Sequence, residues 1–263
     1  AGTAISVGGW DSAAPEGRRN TLTANNITLY LNGSSAGANS YSGAGAGNGG
    51  GVWINNFKMD VPNANNGDFN GLIAGLPFGN INPNGSSFKN YVHVANNYNL
   101  KVAKSNISNR NPTTGIRAVS NNNGQSPFLG TIAGEYAAQS IVTIDGTYSA
   151  DLTAGYGNGV YVSGKWDDKA HMPIVNLNHT DIKITGSGNA LKIGKKDRSS
   201  SLRQYRDGWG AGELNFKAGA GVNIDQSAAT GEAIAITFGG STLNAAGTEQ
   251  FKVVSQGNTI RVG

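Results

Sequence analysis

The sequence predicts an all-β protein coiled as a β-solenoid, and three observations carry that expectation. Apolar and polar residues alternate over short runs, glycine and asparagine punctuate those runs, and one strand-bend-strand phrase returns along most of the chain. Alternation at period two sets one face of an extended strand against a core, and glycine and asparagine tolerate the positive φ of a sharp bend. The 3.6-residue period of a helix is almost missing, with only a weak trace in GEYAAQS (134–140).

The phrase is read in chain order. NITLYLNG (26–33) leads through a Gly/Ser/Ala tract to GVWINN (51–56), and SIVTIDGTY (140–148) leads to GNGVYVSG (157–164), each pair closing on Gly-Val-aromatic-Ile/Val. DIKITGSGNALKIG (181–194) carries Ile182, Ile184, Leu191 and Ile193 on either side of a Gly-Ser-Gly-Asn hinge. GVNIDQSAATGEAIAIT (221–237), STLNAAGTEQFKVV (241–254) and NTIRV (258–262) repeat the pattern toward the C-terminus. Val160, Val162, Ile182, Ile184, Leu191 and Ile193 are therefore expected to point inward and stack. A β-sandwich is the alternative, but its strands run longer with cleaner alternation, and short strands flanked by corner residues favour a coil. With about 20 to 25 residues per turn and rungs about 4.8 Å apart, the coil would have roughly eleven turns over about 50 Å. Asparagine suits such bends, where it can bond local backbone and stack on the next rung, and it crowds NANNGDFNG (63–71) and SNNNG (120–124).

The 263 residues read as a single domain, 1–263, since all-β units of this size often stay undivided. Forty glycines and 38% hydrophobic residues describe a turn-rich chain that still packs a core. No apolar run is long enough to span a membrane. The chain opens at Ala1, as a processed secretory product would, and the absence of cysteine removes disulfides, thiolates and Cys-based metal sites. Asn26, Asn32, Asn84, Asn106 and Asn178 head Asn-X-Ser/Thr triplets, the acceptor pattern for N-glycans in a eukaryotic secretory protein.

DIKITGSGNALKIG, GNGVYVSG and GVWINN resemble the rung phrases of the right-handed parallel β-helices of bacterial type V secretion, the pertactin-like autotransporter passengers, with the two-partner-secreted adhesins as cousins. NPNG (82–85) is similar to a short motif of the two-partner secretion domains. The resemblance implies a right-handed coil in a bacterial protein that is secreted or displayed at the cell surface. It implies an adhesin, a toxin-like protein or a matrix component.

A search for catalytic chemistry is mostly negative. His93, His171 and His179 are scattered outside any HExxH or His-x-His spacing, and neither GxSxG nor GDSG is present. GAGAGNGG (43–50) contains GxGxxG, but no helix follows to complete a phosphate cradle, and it reads as a flexible loop. KWDDKAH (165–171) offers Asp167, Asp168, Lys169 and His171 for Ca²⁺-assisted lyase or acid/base glycosidase work on a polysaccharide. Adjacent strand residues face opposite ways, so a solvated loop is the better reading. No catalytic residue, metal or cofactor is assigned.

The concentrated feature is charge. Residues 192–207 hold Lys192, Lys195, Lys196, Arg198, Arg203 and Arg206 against Asp197 and Asp207, a surplus of four that equals the whole chain's net +4. Tyr205 and Trp209 lie within or beside the stretch. KKDRSSSLRQYRDGWG (195–210) reads as a loop leaving the coil between ALKIG and ELNF. Clustered cations hold sulfate, carboxylate or phosphate, and an exposed Tyr or Trp offers a flat face to a sugar ring or a base. Lys192, Lys195, Lys196, Arg198, Arg203, Tyr205, Arg206 and Trp209 are the candidate ligand-binding residues. The expected partners are glycans or proteins of host or bacterial surfaces, without nucleic acid and without a membrane span. Self-association into an extracellular filament and a polysaccharide-active lyase or hydrolase are the competing functions.

Overall fold

A strand that alternates apolar and polar residues must have its apolar face covered, and a succession of short strands achieves this by coiling on itself. The computed structural model describes residues 2–8, 20–34, 41–46, 50–65, 69–75, 89–103, 113–119, 139–153, 155–164, 172–195 and 210–263. Among them are twenty strands and no helix. All the strand pairings are parallel, which excludes the sandwich.

The strands form three columns. Column one stacks β1 (Gly2–Val7), β3 (Tyr41–Ala46), β5 (Phe69–Ala74), β8 (Thr113–Val119), β11 (Tyr156–Ser163), β14 (Ser187–Ile193), β17 (Ile234–Ile236) and β20 (Ile260–Val262). Two long strands, β2 (Thr21–Ser34) and β4 (Gly51–Asn65), lie across the other two columns. Column two continues with β6 (Lys89–Val94), β9 (Gln139–Ile144), β12 (Ile174–Leu177), β15 (Glu213–Phe216) and β18 (Thr242–Asn244). Column three continues with β7 (Tyr98–Val102), β10 (Thr147–Leu152), β13 (His179–Ile184), β16 (Gly221–Gln226) and β19 (Gln250–Ser255). The chain passes through columns one, two and three in turn, so the fold is a parallel β-helix.

The described strands complete seven turns, with β20 beginning another. This corrects the expected eleven. Paired positions a turn apart are separated by as few as 26 residues, Ile234 to Ile260, and by as many as 50, Tyr98 to Tyr148. Eight stacked strands about 4.8 Å apart give a column about 34 Å long. The extra residues fall at two of the three corners, after column one and after column three. The corner between columns two and three stays short because side chains tie it across rungs. Asn55 donates to Asn25 (3.0 Å), Asn56 to Asn26 (2.9 Å), and Asn178 to the Asp145 carbonyl (2.7 Å). The asparagine stacking expected from composition is thus realised here. Of the runs that suggested it, 66–68 and 120–124 lie outside the described residues. Two glycan-acceptor triplets head this ladder, and the Asn26 and Asn178 side chains are committed to it.

DIKITGSGNALKIG is strand, bend, strand, but its halves β13 and β14 sit in different sheets rather than in a hairpin. The bend falls at Gly186, and Gly188, just inside β14, takes φ +125°. Val160, Val162, Ile182, Ile184, Leu191 and Ile193 are all buried in the common core. GAGAGNGG is a correction: Gly43–Ala46 is buried strand β3, and 47–49 lie outside the described residues.

Column one repeats polar, small, apolar, any, apolar: Asn70-Gly71-Leu72-Ile73-Ala74, Thr114-Gly115-Ile116-Arg117-Ala118, Asn158-Gly159-Val160-Tyr161-Val162 and Asn189-Ala190-Leu191-Lys192-Ile193. The small residue leaves room for a large one crossing the core from column three. Built Cβ atoms on Gly71, Gly115 and Gly159 meet Tyr98, Tyr148 and Ile182 respectively. Phe57, Tyr98 and Tyr148 stack at 5.5 and 5.1 Å between ring centroids. The buried hydroxyls donate to carbonyls of column one, Tyr98 to Gly115 (3.1 Å) and Tyr148 to Gly159 (2.8 Å). Burial pushes both phenol pKa values upward and keeps the hydroxyls neutral.

Candidate functional site

Function on such a coil lies on outward side chains and on corner segments, because inward positions are consumed by packing. Of the predicted ligand-binding residues, Lys192 and Lys195 are described. Lys196, Arg198, Arg203, Tyr205, Arg206 and Trp209 lie outside the described residues, as do KWDDKAH (165–171), NPNG (82–85) and Trp166. The Lys192 ammonium sits 5.7 Å from the Tyr161 ring centre, and the Arg117 guanidinium sits 5.5 Å from the same ring. Both are cation–π contacts on the outer face of column one. Arg117 also donates to Asn70 (3.4 Å).

The base of the basic stretch is a closed clamp. The Lys195 and Gly210 backbones exchange two hydrogen bonds, each 3.1 Å, so 196–209 leaves and rejoins the coil at one point. Gly164 N–H donates to the Ala211 carbonyl at 2.7 Å, and Glu213 N–H donates to the Pro173 carbonyl at 3.0 Å. The connections carrying the acidic and basic motifs are therefore launched from neighbouring rungs at the corner between columns one and two.

The histidines divide. His179 is exposed, and its Nδ1 accepts from Gly221 N–H (3.1 Å). His93 Nε2 lies 2.5 Å from an Asp145 oxygen, and Lys217 bonds the other oxygen of that carboxylate. The Lys217 bond first, and His93 second, hold the Asp145 carboxyl below its ordinary pKa against the opposing effect of burial. Both oxygens of Asp145 are engaged, so the group is a cross-rung tie at the short corner rather than a base awaiting a nucleophile. Among the described residues no three His, Asp or Glu side chains converge as a metal set.

The outer face of column three carries what sequence reasoning missed. A groove of about 590 Å³ runs along it, its polar lining including Lys58, Asp60, Lys101, Asp151, Lys183 and Asp225. Register stacks Asp60, Lys101, Asp151, Lys183 and Asp225 on five successive rungs, so charge alternates in sign along the axis. Beside that row run Lys58, Asn99, Ser149, Asp181 and Asn223, and at the far end Tyr30, 67% exposed, precedes Asp60 in register. The lysines are exposed while Asp60, Asp151 and Asp225 are half-buried. Ion pairs among the described residues join His93 and Lys217 to Asp145 and Arg261 to Glu232, and none involves Lys58, Lys101 or Lys183. The carboxylates take neutral partners: Asp151 accepts from Thr153 (3.3 Å), Asp181 from Asn223 (3.0 Å) and Asp225 from Ser227 (2.6 Å). The Ser227 bonds first, and the Lys183 and Lys252 charges after them, hold Asp225 below its ordinary pKa against burial.

A signal for this row exists in the sequence. The column-three strands read polar, apolar, charged, apolar in Lys58-Met59-Asp60-Val61, Asn99-Leu100-Lys101-Val102, Ser149-Ala150-Asp151-Leu152 and Asp181-Ile182-Lys183-Ile184. Comparison of the chain with protein-family models, with curated proteins and with solved structures finds no match.

Proposed function

We propose that this chain is a β-helical module of a secreted or surface-displayed bacterial protein that binds acidic or sulfated glycans through residues 192–209. The supporting observation is the charge surplus of four over 192–207, which begins at Lys192 on strand β14 and runs through Lys195 into a segment whose base is closed on the coil by the reciprocal Lys195–Gly210 bonds. Cations presented from such a base hold sulfate or carboxylate by charge-assisted hydrogen bonds, with Tyr205 or Trp209 packing on a sugar. The proposed association with type V secretion rests on the rung phrases and on the parallel β-helix they produce.

Replacing Lys195, Lys196, Arg198 and Arg203 together with Ser tests the reading. Loss of retention on immobilised heparin with an unchanged melting temperature is expected, and raising salt from about 50 to 200 mM should weaken wild-type retention through screening. Wild-type protein that passes through at low salt overturns it.

A further inference from the structure

From the groove on column three we infer a second glycan site, independent of the basic stretch, that selects a linear polysaccharide by the spacing of its charges. The argument begins with geometry. Rungs lie about 4.8 Å apart, so Lys101 and Lys183, two rungs apart in one row, sit about 9.6 Å apart, with Asp151 midway. An extended chain of linked pyranoses advances by about two sugar units over that length. An acid on every second sugar meets the two lysines, while the intervening sugar turns hydroxyl or amide donors toward Asp60, Asp151 and Asp225. An acid on every sugar instead brings carboxylate against carboxylate at alternate rungs, and a neutral polymer leaves the lysines without ionic partners.

Two further observations point to a ligand rather than to a self-satisfied ladder. Oppositely charged neighbours on adjacent rungs are within easy reach of one another, yet no described ion pair joins them, and Asp151, Asp181 and Asp225 are turned to hydroxyl or amide donors instead. The charges also line a continuous groove that spans five rungs, with the lysines proud of its floor and three of the carboxylates recessed in it. Exposed lysine heads outside any described ion pair can reach an anion lying over the groove, and a carboxylate that accepts one bond keeps further lone pairs for a donor. The ligand class is thus a linear polysaccharide with one carboxylate per disaccharide.

The probes are size-matched oligosaccharides of hyaluronan, whose carboxylates alternate with N-acetylated sugars, and of polygalacturonate, which carries one on every residue. Calorimetry on the whole chain should show hyaluronan bound about ten-fold or more tightly than polygalacturonate, the scale of one charge-assisted hydrogen bond. Lys101→Asp combined with Asp151→Lys keeps net charge and breaks the alternation, and it should abolish that preference. Lys101→Gln with Lys183→Gln, at exposed positions, should weaken hyaluronan binding by a similar factor and serves if the exchange variant does not fold. The quadruple serine variant of 195–203 should retain hyaluronan binding, which separates failure of this site from failure of the heparin site. Equal affinity for the two polymers, absence of hyaluronan binding, or an exchange variant that keeps the preference overturns the inference.

Discussion

Gly115 is the position where the smallest possible perturbation has the largest calculable consequence. A Cβ there lands on the Tyr148 hydroxyl and comes within 2.7 Å of the Gly159 carbonyl oxygen. Tyr148 has nowhere to retreat, being fully buried and stacked on Tyr98 at 5.1 Å and 11°. Gly115→Ala therefore forces the ring off its 2.8 Å bond to Gly159. An unmade buried hydrogen bond costs about 1–3 kcal/mol and overpacking about 1–3 kcal/mol. The reduced freedom of the unfolded chain returns about 0.4–1 kcal/mol, since Gly115 does not occupy the left-handed region. The net loss is about 3 kcal/mol, or roughly 6–12 °C in melting temperature for a chain of this size.

Tyr148→Phe isolates the cause. Alone it removes the hydroxyl and leaves the Gly159 carbonyl short of a donor, at a cost of about 1–2 kcal/mol. In the double variant the new methyl takes the space of the hydroxyl but keeps its 2.7 Å approach to the Gly159 carbonyl oxygen, so the pair should be about 1 kcal/mol less stable than Tyr148→Phe alone. The coupling in this cycle should be about 2 kcal/mol. Thermal melts followed by circular dichroism and by tyrosine fluorescence provide the measurement, and the two transitions should coincide. Strict additivity, or Gly115→Ala as stable as the parent, would show that the glycines of column one are not shaped to the tyrosines of column three.

Two further outcomes follow from the core and the short corner. Ile184→Asp places an unpaired carboxylate where the side chain is 1% exposed, and a melt should show a loss of about 3 kcal/mol or more. Asp145 has a depressed folded pKa, so its stabilisation is present above the unfolded value near 3.9 and is lost as pH falls through the lower folded value. Asp145→Asn should accordingly flatten the acid limb of stability below about pH 4, and an acid limb identical to the parent's would refute the role given to Lys217 and His93.

The inward half of the fold was legible because period two is a local property. Ile182, Ile184, Leu191 and Ile193 announce their direction from their immediate neighbours, and each is buried. Column identity is not local. GVWINN and GNGVYVSG read as one phrase, yet Val52 pairs with Val92 in column two whereas Val160 pairs with Ile116 in column one. What separates them is the residue across the core: Gly159 faces Ile182, a neighbour made only when the turn closes. Turn length was misjudged for a related reason, since insertions at two corners alter sequence spacing without altering the ladder. Gly43–Ala46 has the composition of a loop, although the same small side chains are what let β3 pass against Met59.

Charge was legible only where it accumulates. Summing along the chain isolates 192–207, because a surplus of one sign survives addition. The same sum conceals Asp60, Lys101, Asp151, Lys183 and Asp225, whose signs nearly cancel although each is held at a fixed distance from the next. A polyelectrolyte at close range meets spacing, not totals, since beyond about 10 Å in ordinary salt the alternating charges screen one another and the solvent screens the rest. Position strengthens the distinction. The Lys195–Gly210 clamp stands at the corner between columns one and two, whereas the groove occupies column three, across the coil from that corner. One short stretch of glycan cannot engage both. In the proposed function the basic stretch would act through net charge and govern encounter, and the inferred groove site would act through register and govern which polymer stays. The short asparagine-tied corner beside column three suits that second task, because an insertion there would offset one rung against the next and destroy the spacing on which the selection depends.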